Sequence, residues 1–126
     1  MPLHRIFVPR DLYSEQDKQA MTTAITEKVY GRIPAFYVVV LFITVEKGDY
    51  YVGAKQRDNF VRFAVENMAR YHEGEKLKRQ FIDRYEKALA PWTKDRGIDW
   101  EVQIEECNVS QRHPRFRSRS DLHSSE

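Results

Sequence analysis

Thiol chemistry is nearly absent from this 126-residue chain, which carries one cysteine, Cys107. That excludes a disulfide framework and a multi-cysteine metal site, and it fits a reducing, cytoplasmic setting. The four histidines, at 4, 72, 113 and 123, match no metal-ligand spacing, and there is no His-Glu-x-x-His. Neither a Gly-rich phosphate loop nor a Gly-x-Ser-x-Gly elbow occurs, so nucleotide binding and serine hydrolysis lack support and no cofactor is expected. The longest apolar stretch, Ala35 to Val45, is too short for a membrane span. The first apolar run is broken by His4 and Arg5, which argues against a signal peptide. A net charge of +2 does not call for a nucleic-acid partner, and an Asn-x-Ser triplet at Asn108 means nothing in a cytoplasmic chain.

What remains is a globular profile, 41% hydrophobic and 32% charged. The length favours one domain, over residues 1–110. Residues 111–126 carry four arginines among serines and acids without an apolar pattern, and read as a disordered tail.

Leu3 to Val8 reads as a strand, punctuated by Pro9-Arg10-Asp11. Ser14 and Asp17 have capping-box spacing, and Ala20, Ala24, Ile25 and Val29 repeat at helical intervals, predicting a helix over Ser14 to Tyr30. Gly31 then reads as a C-terminal glycine. Phe36 to Val45 reads as a second strand, apolar enough to predict cover on both faces. Tyr50 to Val52 reads as a hairpin arm after Lys47-Gly48-Asp49. Asn59 to Glu66 reads as a third strand, with Val61, Phe63 and Val65 toward the core and Phe60, Arg62, Ala64 and Glu66 opposite. A second helix is predicted over Glu75 to Ala90, burying Leu77, Phe81, Ile82, Tyr85 and Leu89 and ended by Pro91. Trp100 to Ile104 reads as the last strand. The fold class is α/β (α+β): a doubled β-α-β unit forming one four-stranded sheet, mostly parallel or mixed, with both helices on one face. The other face then needs cover, which oligomerisation supplies.

Proline at position 2 directly precedes the first strand. With Met1 removed, Pro2 would present a secondary amine at a strand end; with Met1 retained, it is merely a proline that starts a strand. A buried amine beside cations is driven toward its neutral form, which allows general acid–base or nucleophilic work near neutral pH. Arg62 interrupts an apolar strand and reads either as a rim or salt-bridge arginine or as a fork for a substrate carboxylate. Arg70 falls between the third strand and the second helix, where a loop can present it to an anion or to solvent. Arg10 holds the matching place in the first unit, and Arg57 is a further candidate. Tyr37, Tyr50 and Tyr51 read as pocket or interface residues. Glu101, Glu105 and Glu106 read as candidate acids or as a solvated run, and His4 as a packed or surface residue able to share the face of Pro2.

Four stretches, MPLHRIFVP, AITEKVYGRIPAFYVVVLF, YYVGAKQRDNFVRFAVENMAR and ALAPWTKDRGIDWEVQIEE, resemble the tautomerase superfamily. Within it the chain is similar to the fungal tautomerases grouped with cis-3-chloroacrylic acid dehalogenase. The resemblance implies a homotrimer, removal of Met1, Pro2 as the catalytic residue, and Arg70 near the region of the carboxylate-binding arginines. Arg62 has no clean family counterpart and rests on the strand pattern. The chain departs from the dehalogenase at Val29, where that enzyme has a histidine, and near Val102, where it has a tyrosine. The region of the dehalogenase's water-activating glutamate here reads SQRHPRFRSR. The reading is therefore a Pro2-dependent tautomerase of small 2-oxo or enol carboxylates, with no nucleic-acid or membrane partner. Its alternatives are a hydratase, dehalogenase or decarboxylase of short unsaturated or 3-oxo acids, or a catalytically degenerate trimeric scaffold.

Overall fold

Strict alternation decides the first strand, β1 (Leu3–Pro9): His4, Ile6 and Val8 are buried, while Leu3, Arg5 and Phe7 are only half-buried. The structure, a computed structural model, describes residues 2–68 and 74–107. After β1 the chain reverses through Asp11, whose φ of 71° lies in the left-handed region that Asp tolerates. Helix α1 (Glu15–Ala24) opens on a complete capping box. The Asp17 N–H donates to the Ser14 hydroxyl, and the Ser14 N–H donates to the Asp17 carboxylate.

α1 does not continue as an α-helix to Tyr30, as its apolar spacing predicts. Ile25–Val29 winds as a π-helix, and the wider turn leaves the neighbours Val29 and Tyr30 both buried. Gly31 follows for a reason other than a left-handed cap: a β-carbon there would sit 2.9 Å from the Glu27 carbonyl oxygen. The second strand also starts later than predicted. Pro34 begins a 3₁₀ turn at Ala35–Tyr37, whose hydrogen bonds divert Phe36 and Tyr37 from the ladder, and β2 spans Val39–Val45. A small hairpin, β3 (Tyr51–Val52) with β4 (Lys55–Gln56), turns through Gly53 and Ala54, both left-handed. β5 (Phe60–Met68), α2 (Gly74–Leu89) and β6 (Asp99–Cys107) complete the second unit. Pro91 lies in the 3₁₀ turn that follows α2.

The sheet order is β2-β1-β5-β6. β1 runs parallel to β2, β5 parallel to β6, and β1 antiparallel to β5. Both helices cover one face. Ile6, Val8, Val61, Phe63 and Val65 from the sheet meet Met21, Ile25, Val29, Phe81, Tyr85 and Leu89 from the helical layer. Each such side chain contributes about 1.5–3 kcal/mol by leaving water. The expected split of the β5 faces is present, and Trp100, Val102 and Ile104 pack against this core.

Two expectations need correction. β2 is not covered on both faces within one chain; Leu41 remains 46% exposed. Leu77 of α2 is 45% exposed rather than core, because it lines a groove between the helices instead. Among the described residues no helix is long and apolar enough to cross a membrane.

The capping box makes Ser14→Ala a clean test of the α1 boundary. It is expected to cost about 1 kcal/mol, read as a lower urea midpoint with an unchanged m-value.

Candidate active site

Pro2 is buried at the entry to β1, and its carbonyl accepts the Val39 N–H at 3.0 Å. The register places Leu3 opposite both Val39 and Glu66, so the start of β1 meets the end of β5. Both helices reach this end: Tyr30, just past the π-wound end of α1, and Tyr85, in the later turns of α2, both contact His4, two residues on from Pro2.

Beneath Pro2, on the helix-covered face, lies a buried polar cluster. His4 is fully buried, with Nδ1 3.0 Å from the Tyr85 hydroxyl. The two rings are stacked, with centroids 5.4 Å apart, and Tyr30 presents an edge contact to His4 at 5.4 Å. The Tyr30 hydroxyl donates to Asn67 Oδ1 at 2.9 Å. His4 Nε2 has no hydrogen-bond partner among the described residues. Burial pushes His4 down to about 3, so its imidazole is neutral at physiological pH. Burial also pushes the Tyr85 phenol well above its usual range.

The remaining candidates are spread more widely. Arg62 is not beside Pro2 within one chain. It lies opposite Phe7, roughly 16 Å along the ladder at about 3.3 Å per residue, on the uncovered face. There it bonds to Gln103 and approaches Glu101 at 3.6 Å. Arg10 sits at the far end of β1, where its Nε donates to Glu46 at 2.8 Å. Arg57 is likewise remote, paired with Asp99 and Asn59. Arg70 lies outside the described residues, as do Met1, His72 and the 111–126 segment. Tyr37 is 41% exposed just before β2, beside Phe36 at 76%, so an aromatic rim stands near the Pro2 end. Tyr50 is half-buried and donates to the Phe7 carbonyl at 3.3 Å; Tyr51 is exposed on the hairpin. Glu105 falls in the row of Glu66 and Leu3 on the uncovered face, where Glu66 meets Arg5 at 3.5 Å. Glu106 aligns with Asn67 along the ladder.

A groove of about 570 Å³ separates the end of α1 from α2. Lys28, Arg32 and Arg84 line it with Glu27 and Gln80, above an apolar strip of Val29, Ile33 and Leu77. The residue pattern does not flag these cations, because each reads as an ordinary exposed helix or loop charge. Pro2 does not line this groove, so it is a separate feature from the polar cluster. Among the described residues no group of His, Cys, Asp and Glu side chains could hold a metal ion.

This architecture has counterparts. A family profile described as "Putative oxalocrotonate tautomerase enzyme" matches residues 1–114. The chain belongs to this tautomerase family. RhCC from Rhodococcus jostii RHA1 is 36% identical with a TM-score of 0.77, over 85% of this chain and 78% of that one. A probable enzyme from the thermophilic fungus Aspergillus fumigatus is 30% identical with a TM-score of 0.78, over 86% and 76%. Native fused 4-OT, at 14% identity and a TM-score of 0.69 over 84% and 87%, shares the tautomerase fold. No match is found among curated proteins.

Buried His4 makes this tautomerase fold acid-sensitive in a defined window. An unfolded histidine titrates near 6.5 and the folded one near 3, so between those values the unfolded chain binds the extra proton. His4 therefore contributes stability above pH 6.5 that is lost as pH falls toward 3, with a slope of up to about 1.4 kcal/mol per pH unit. In His4→Leu that part of the slope should vanish from melting temperatures recorded between pH 6.5 and 4.

Proposed function

We propose that the protein is a tautomerase of small 2-oxo or enol carboxylates that uses Pro2, freed by removal of Met1, as its general acid–base. The observation that carries the reading is the buried position of Pro2 at a strand entry, two residues before a His4 that Tyr30 and Tyr85 enclose and near the aromatic rim of Phe36 and Tyr37. Membership in the tautomerase family supports isomerase chemistry on small carboxylates. The neutral amine takes the proton of an enol hydroxyl, and the resulting ammonium returns it to the adjacent carbon as the ketone forms. No co-reactant is needed. Burial disfavours the ammonium and brings the amine toward neutral pH, where it can both take and give a proton.

Arg70 is the proposed carboxylate clamp, through paired N–H donors. Arg62 enters the reading only across a subunit contact, toward the site of a neighbouring copy. Such contacts are supported by the uncovered face, where Leu3, Phe7, Val39, Leu41 and Ile43 form an apolar patch. The proposed assembly is a homotrimer in a cytoplasmic setting.

Placement near the cis-3-chloroacrylic acid dehalogenase group is part of the same proposal, but water chemistry is disfavoured. Val29 is buried and Val102 packs on the core, so neither position offers a hydrogen-bonding group to activate water.

Intact-mass measurement should find Met1 absent, and retained Met1 would overturn the reading. Ketonisation of phenylpyruvate enol should fall roughly 100-fold or more in Pro2→Ala; equal rates would favour a scaffold role. Arg70→Ala should raise KM for acidic substrates about tenfold with little change in kcat.

A further inference from the structure

A folded core rarely tolerates polar side chains without a reason, and here their distribution is uneven. Among the described residues the buried polar side chains are His4, Asn67 and Thr93. Thr93 has a local explanation, since its hydroxyl donates to the Leu89 carbonyl at 3.0 Å. The other two both flank Pro2. His4 is the next residue of β1 on the same face, and Asn67 follows Glu66, the partner of Leu3 on β5. Every other inward position of these two strands, Ile6, Val8, Val61, Phe63 and Val65, is apolar.

The cluster is also incompletely satisfied. Its tyrosines tie His4 Nδ1 and Asn67 Oδ1, but His4 Nε2 is left without a partner among the described residues. An unmade hydrogen bond in a buried site is costly, because the group has lost its water and gained nothing in return. The two ring nitrogens of an imidazole diverge, so a bond from Nδ1 to Tyr85 on α2 sends Nε2 away from that helix. A leucine would fill this position without the penalty.

We infer that His4 is a positioning residue for Pro2. Its Nδ1–H donates to Tyr85, and Nε2 keeps a lone pair that accepts a proton of the Pro2 ammonium once Met1 is gone. The inference rests on the proposed role of Pro2 and deepens it. The π-helical turn at Ile25–Val29 belongs to the same device, because it brings Tyr30 inward against the His4 ring.

The electrostatics are simple enough to give a sign. His4 is faced by Tyr85 of α2 and by Tyr30 at the end of α1, both of which touch Phe81, with Val40 and Val65 beside it in the sheet. Among the described residues its titratable neighbours in these contacts are therefore two phenols. Arg84 stacks on Phe81 at 5.5 Å, outside the cluster. The charges nearest in register, Glu66 and Arg5, lie on the opposite sheet face and pair with each other. Arg70, outside the described residues, is the other cation proposed for this end. A neutral acceptor against an ammonium stabilises the protonated amine. His4 thus opposes the downward pull of burial and keeps the amine pKa higher than an apolar wall would.

The test reads the amine directly. With [15N]proline-labelled protein whose Met1 loss is verified by mass, the Pro2 nitrogen is titrated by NMR in wild type, His4→Leu, His4→Gln and Tyr85→Phe. In His4→Leu the amine pKa is expected to fall by about one unit, roughly tenfold in proton affinity. His4→Gln, which keeps an acceptor, should restore most of it, and Tyr85→Phe, which releases the tether, should fall between. The acidic limb of kcat/KM should move in step. A role confined to packing would lower stability in these variants and leave the amine titration where it was, which overturns the inference. Should His4→Leu fail to fold, an unchanged titration in Tyr85→Phe overturns it equally. Retained Met1 removes both this inference and the proposed function. A His4-dependent amine in a protein inactive on enol carboxylates leaves this inference standing and removes the function.

Discussion

The antiparallel pairing of β1 with β5 governs the rest of the molecule. Each β-α-β unit alone would be a pair of parallel strands with one helix, too small to bury its own face. Joining them through β1 and β5 makes one sheet, puts both helices on one side and creates a shared core. It also sets direction. Because the two central strands run oppositely, the entry of one unit lies against the exit of the other. Everything gathered around Pro2 follows from that geometry: the buried Asn67, the π-wound end of α1 and Tyr85 of α2.

The same pairing explains why, among the described inward positions of β1 and β5, polar side chains occur at one end only. Along most of β1 and β5 the inward side chains are β-branched or aromatic, and they exclude water over the length of the sheet. At the shared end the chain instead holds an imidazole and a carboxamide between two tyrosines. Burial keeps the imidazole uncharged, so the polarity there comes from dipoles and lone pairs, without a fixed charge.

Much of this architecture was legible in the residues. The β5 faces could be read because Arg62 and Glu66 mark one side and Val61, Phe63 and Val65 the other. The start of α1 could be read because Ser14 and Asp17 form a local device. The π-turn could not, since Ala24, Ile25 and Val29 suit an ordinary helix equally well. Nor could the 3₁₀ turn at Ala35–Tyr37, whose composition is that of the strand it precedes. The contact of His4 with Tyr85 spans 81 positions and leaves no local trace. Its one available signal was a polar side chain at an inward position of an otherwise apolar strand. The place of Arg62 was hidden for a related reason: strand alternation gives its face but not its distance from Pro2.

The carbonyl of Pro2 accepts from Val39 at 3.0 Å, and the carbonyl of Asn59 accepts from Asp99 at the same distance. The two bonds are pseudo-twofold mates, each made at the entry of a unit's first strand. The chain thus has two corners of one design. At the other, Asn59 is locked in mid-chain, and Arg57 clasps both Asn59 and Asp99 across the opening. The symmetry of the backbone does not extend to the side chains: the mate of the Pro2 corner has become a rivet that holds β5 to β6.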